Sequence, residues 1–98
     1  MAASERSTFV MITEQEQAVI AQCARKYAAT RVLLFGSSLE RDDARDIDLG
    51  VEGIAPGAFF KFYGELLRAL RKPVDLADLS DGTMFSRLVR ERGRVIYG

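Results

Sequence analysis

Residues 46–51, Asp-Ile-Asp-Leu-Gly-Val, alternate strictly between apolar side chains and polar or small ones. That is the period of a β-strand with one packed face: Ile47, Leu49 and Val51 turn to a core, and Asp46, Asp48 and Gly50 to the other side. The fold must therefore contain a sheet with one face on which two carboxylates stand about 6.5–7 Å apart along the strand. Carboxylates that close repel each other and resist desolvation unless a cation lies between them. Magnesium suits such a position. It takes oxygen ligands, keeps several waters and commonly completes its shell with substrate phosphates.

The remaining segments supply the layers around that strand. Thr13 followed by Glu16 has the form of a capping box, and Val19, Ile20, Cys23, Ala24 and Tyr27 recur at helical spacing, which predicts a helix over about 14–29. Residues 31–35 read as a strand ending at Gly36, with a short helix or turn over 37–43. A turn with Pro56 is expected over 53–57. Phe59, Phe60, Phe62, Tyr63, Leu66, Leu67 and Leu70 predict a helix over 58–71 with a wide apolar stripe, stopped by Lys72-Pro73. That stripe exceeds what one small sheet needs, so part of it is available to a partner. Residues 73–79 read as a third strand, with Val74 and Leu76 on one face and Asp75 on the other. Ser80 or Thr83 caps a last helix ended by Gly93, and residues 94–97 form a final strand. The expected class is α/β (α+β): a mixed sheet of about four strands, with helices packed mainly on one face.

At 98 residues the chain reads as one domain, residues 1–98, with a loose N-terminal segment over 1–12 whose residues 1–8 are small and polar. A chain of this size buries roughly 60–65% of the surface its unfolded form would expose, enough for one modest core. Fourteen basic and 14 acidic residues leave no net charge, so there is no basic excess to grip nucleic acid, and neither partner binding nor self-association is opposed. Cys23 is the single cysteine and histidine is absent, which excludes an internal disulfide, a Cys/His zinc site and histidine catalysis. Cys23, on the apolar helix face, reads as a packed thiol. No apolar run approaches membrane-spanning length and no secretory signal is visible; a cytoplasmic location is expected.

Asp75, facing the same way as Asp46 and Asp48, supplies a third carboxylate. Three carboxylates can hold two metal ions that clamp the attacking and leaving oxygens of an in-line phosphoryl transfer. Gly36 lets backbone approach a ligand, Ser37 adds a hydroxyl, and a helix starting there would turn its N–H groups and positive dipole end toward phosphates.

Taken together, LFGSS, DIDLGVE and PVDLADL resemble the minimal nucleotidyltransferases (MNT) of the DNA polymerase beta superfamily, and the closing RERGRVIYG is similar to that family's terminal helix and strand. The resemblance spans roughly residues 31–98. It implies a nucleotidyltransferase fold, with Asp46, Asp48 and Asp75 as the catalytic and Mg²⁺-binding carboxylates. Gly36, Ser37, Ser38 and Arg41 would be the nucleotide-binding segment for ATP or another nucleoside triphosphate. The family often carries a basic-x-x-Gly segment after Gly-Ser. Here SLERDDAR lacks that glycine, and Arg41 and Arg45 are the cations offered instead. Minimal members resemble the partner of an HEPN-domain protein in a toxin–antitoxin pair. That implies transfer of AMP from ATP to a hydroxyl, a tyrosine, on the partner.

The competing expectation is a binding module of the same fold that neutralises a toxin by contact. For Asp46 and Asp48 taken alone, the plain alternative is a solvated face of an edge strand. For Gly36-Ser37 it is a strand-ending turn. For Arg87, Arg90, Arg92 and Arg94 it is a solvated helix face.

Overall fold

The computed structural model describes residues 12–36 and 46–98. Within them the elements run α1 (Glu14–Lys26), β1 (Arg31–Leu34), β2 (Ile47–Glu52), α2 (Pro56–Leu70), β3 (Val74–Asp78), α3 (Met84–Arg92) and β4 (Arg94–Tyr97). The strands form one mixed sheet in the order β3-β2-β1-β4. β1 pairs antiparallel with both β2 and β4, whereas β2 and β3 are parallel. The parallel pair requires a crossover, and α2 provides it.

Local sequence accounts for where the helices start. Thr13 Oγ1 accepts from the Glu16 N–H at 3.0 Å and Glu16 Oε1 accepts from the Thr13 N–H at 2.9 Å, so the expected capping box closes reciprocally. Pro56, expected in a turn, is instead the first residue of α2: its missing N–H is one the helix start leaves unpaired in any case. That helix ends at Leu70, with Arg71 in the left-handed conformation, two residues before Pro73. Of the two candidate caps for the last helix, Thr83 is used, accepting from the Ser86 N–H at 3.2 Å.

The main core lies on one face of the sheet. Ile20, Cys23 and Ala24 of α1 and Phe62, Leu66 and Leu70 of α2 bury against Val32, Leu34, Ile47, Leu49 and Val51. Ile12, the last residue of the segment expected to be loose, is buried in this cluster; residues 1–11 lie outside the described residues. Glu65 fastens the two helices together. It accepts from Tyr27 Oη at 2.8 Å and pairs with Lys26 Nζ at 3.1 Å. Burial pushes the Cys23 thiol above its ordinary value, and the neighbouring Glu65 carboxylate adds to the effect, consistent with a packed, unreactive sulfur.

The other face is partly covered as well. Leu33, Leu79 and Val89 form a second small cluster with Phe35 and Ala77, which seats α3 on the side of the sheet that carries Asp48 and Asp75. Gly50 is closed over by Leu79: a Cβ there would stand 2.6 Å from Leu79 Cδ1. Two of the three described helices thus share one face, and the third narrows the opposite face to a cleft.

Candidate active site

β2 is an interior strand, flanked by β1 and β3, so its carboxylates do not stand on a sheet edge. Asp48 is half-buried, and its register partner in the parallel pair is Asp75 on β3. Partners in adjacent strands are about 4.8 Å apart and point to the same face. The juxtaposition is therefore between strands, Asp48 with Asp75, more than along one strand. Asp46 stands one residue before β2, exposed, and does not line the cleft. Among the described residues no group of three or more carboxylate or thiol side chains is gathered closely enough to hold a metal ion.

The cleft has a volume of about 320 Å³ and is lined by Phe35, Asp48, Asp75, Leu76, Ala77 and Phe85. Its wall is part acidic and part aromatic: Phe35 and Phe85 meet edge to face with ring centroids 5.5 Å apart, and Phe35 neighbours Asp48 across the β1–β2 pair. Sequence reading passed over both phenylalanines. Phe35 was detectable in principle, because it lies two residues after Leu33 and so on the same face. Phe85 was not, because its place depends on α3 crossing to the carboxylate side.

Gly36 closes the site beside Asp48. Its φ is +71°, and a Cβ at that position would come within 2.6 Å of Asp48 Oδ2. The Phe35 N–H donates to the Asp48 carbonyl at 2.9 Å, which fixes the end of β1 against the start of β2. Only a residue without a side chain fits this conformation at this distance. Ser37, Ser38 and Arg41, along with Arg45 and the expected turn or helix over 37–43, lie outside the described residues.

A second polar group holds α3 in place. Glu52, also on the cleft side of β2, takes a bidentate pair from Arg31 at 3.0 and 2.9 Å and a further bond from Arg90 Nε at 3.1 Å. Arg90 Nη2 donates to the Leu79 carbonyl at 3.0 Å. Arg90, read in the sequence as part of a solvated basic face, is thus a bridge between α3 and the sheet. The carboxylate of Glu52 in turn raises the Arg31 guanidinium above its ordinary value. At the start of α3, Asp81 accepts from Ser86 Oγ at 2.5 Å and from the Thr83 N–H at 3.2 Å, and these bonds hold its carboxyl below the usual range.

Solved structures with this fold include a chain of the MntA–HepT toxin–antitoxin complex. That match has a TM-score of 0.68 and 23% identity, and covers 88% of this chain and 73% of that one. A variant of the complex, with two aspartates one residue apart both changed to glutamate, aligns with a TM-score of 0.69 and 23% identity over 84% of this chain and 72% of that one. The chain shares the fold of these structures. No protein-family model matches the sequence, and no curated protein matches it. Among the described residues, no helix is long and apolar enough to cross a membrane.

Proposed function

We propose that this chain is a magnesium-dependent nucleotidyltransferase that moves AMP from ATP to a hydroxyl on an HEPN-type partner protein, acting as the antitoxin of an HEPN/MNT toxin–antitoxin pair. The observation that carries this reading is the Asp48–Asp75 register pair beside Gly36, in the wall of a cleft. Two carboxylates from adjacent strands are a hard-oxygen donor set of the kind magnesium takes, and the absent Cβ at Gly36 leaves room beside an oxygen of one of them. The two similar structures are toxin–antitoxin complexes, which supports a protein as the acceptor. The aspartates changed in one of them have the spacing of Asp46 and Asp48.

Asp46 and Asp48 would hold the metal on the nucleotide side, and Asp75 a second ion on the acceptor side. When bound, magnesium supplies charge neutralisation for the triphosphate. Gly36, Ser37, Ser38 and Arg41 orient the β- and γ-phosphates. As the alternative to holding that second ion, Asp75 takes the proton of the acceptor hydroxyl. That oxygen bonds to the α-phosphorus as the bond from the α-phosphorus to the bridging oxygen breaks, and pyrophosphate leaves. Phe35 and Phe85 give the cleft an apolar wall that limits water there, which favours the acceptor hydroxyl over hydrolysis.

A second reading, a binding module that neutralises its partner by contact, is favoured by one observation: Asp46 stands outside the cleft. The two separate on Asp48→Asn. The enzyme loses transfer of label from α-labelled ATP to the partner while the complex persists; the binding module transfers no label with either form.

A further inference from the structure

The outer face of α2 serves neither the core nor the cleft. Phe60, Gly64 and Leu67 recur at i, i+4 and i+7 and so form one stripe along the helix, with Arg71 as the residue that caps its end. Phe60 is 75% exposed and Leu67 43% exposed, an apolar ridge broken by the glycine between them. Lys61, Arg68 and Arg71 are exposed along the same face, and among the described residues none of them makes an ion pair. Arg68 leans over the gap, with its Nη1 3.7 Å from where a Cβ on Gly64 would stand. The one acidic residue of α2, Glu65, is turned away to Lys26 and Tyr27. On a chain of zero net charge this face is therefore locally cationic and apolar together.

We infer that the outer face of α2 is a docking surface for an acidic amphipathic helix of a partner protein. The glycine lets a second helix approach closely. Phe60 and Leu67 seat its apolar stripe, and Lys61, Arg68 and Arg71 pair with carboxylates on its flanks. α2 packs on the sheet face opposite Asp48 and Asp75, so this surface works apart from the cleft and its occupant is held whether or not transfer occurs.

The test uses the whole chain and two defined probes, a fluorescent Glu/Tyr copolymer and a Lys/Tyr copolymer, followed by anisotropy. The expected result is saturable binding of the Glu/Tyr copolymer alone. A Lys61→Glu/Arg68→Glu variant should weaken it about tenfold or more, and so should a Phe60→Ser/Leu67→Ser variant. Asp48→Asn should leave it unchanged. All substituted α2 side chains are exposed, so circular dichroism should report an unaltered fold. No binding of the Glu/Tyr copolymer, or equal binding by the α2 variants, overturns the proposal. So does binding of phosphatidylserine vesicles in place of the copolymer, since the face would then be a lipid contact. No label transfer by the wild-type chain, with copolymer binding intact, would count against the catalytic reading and leave this surface standing.

Discussion

Asp48 and Asp75 are register partners across the parallel β2–β3 pair, and their side chains rise together from the sheet face that α3 partly covers. Like charges set opposite each other in a sheet are destabilising, so a cation bound between these two is expected to add stability. Saturating Mg²⁺ is expected to raise the melting temperature of the wild-type chain by about 4 °C or more, through preferential binding to the folded state. Asp75→Asn should lose most of that increase while matching or exceeding the wild type in EDTA. Calorimetry of both forms with and without the ion reads this directly.

Gly36 meets two constraints at once, the left-handed backbone and the contact with Asp48. Gly36→Ala is expected to cost about 1–2 kcal/mol from the backbone alone. In addition, the methyl must displace the Asp48 carboxylate, since 2.6 Å to Oδ2 is too short to keep. Label transfer should fall much further than stability. Urea titrations beside a turnover assay separate the two effects.

Glu65 gives the chain an acid-sensitive clasp. The hydrogen bond from Tyr27, followed by that from Lys26, holds its carboxyl below the ordinary 4.5. A depressed folded value contributes stability that is present above the unfolded value and is lost as pH falls through the folded one. Glu65→Gln should therefore be less stable than wild type at neutral pH. The gap should narrow as pH falls below the ordinary carboxylate value and close once pH has passed through the lowered folded-state value. Denaturant midpoints measured across that range give the comparison.

Glu52 ties Arg31 and Arg90 to one carboxylate, and Arg90 carries α3. Removing it in Glu52→Ala leaves two guanidinium groups in a half-buried setting and is expected to cost about 1–3 kcal/mol. The loss should be felt at Phe85, since α3 positions that ring in the cleft. Aromatic proton shifts of Phe35 and Phe85 should move in the variant, whereas those of Phe62, in the core on the other face, should not.

Much of this architecture is legible from local sequence, because it rests on period and on caps. Thr13 and Glu16 announce α1, the alternation from Ile47 to Val51 announces β2, and Gly93 marks the end of α3. What resists reading is non-local. The pairing of Asp48 with Asp75 depends on β3 lying parallel to β2 at one register, and no short segment encodes that. Val32, Leu33 and Leu34 are all buried, so β1 shows no alternation and conceals that Leu33 serves a second cluster. That cluster draws α3 to the carboxylate face, brings Phe85 to the cleft and turns Arg90 inward from a basic run. Proline fits a turn and a first helical position equally well, so Pro56 alone does not separate a turn from the start of α2. Ser37, Ser38 and Arg41 fall outside the described residues.

The central claim is transfer by the carboxylate pair. The most direct measurement mixes the purified chain with Mg²⁺, α-labelled nucleoside triphosphates and source-cell lysate, with Asp48→Asn and Asp75→Asn run alongside. The account predicts label from ATP on one protein band, absent with either variant while their circular dichroism stays unchanged. Label of equal strength with both variants, or no label with the wild-type chain, would contradict it.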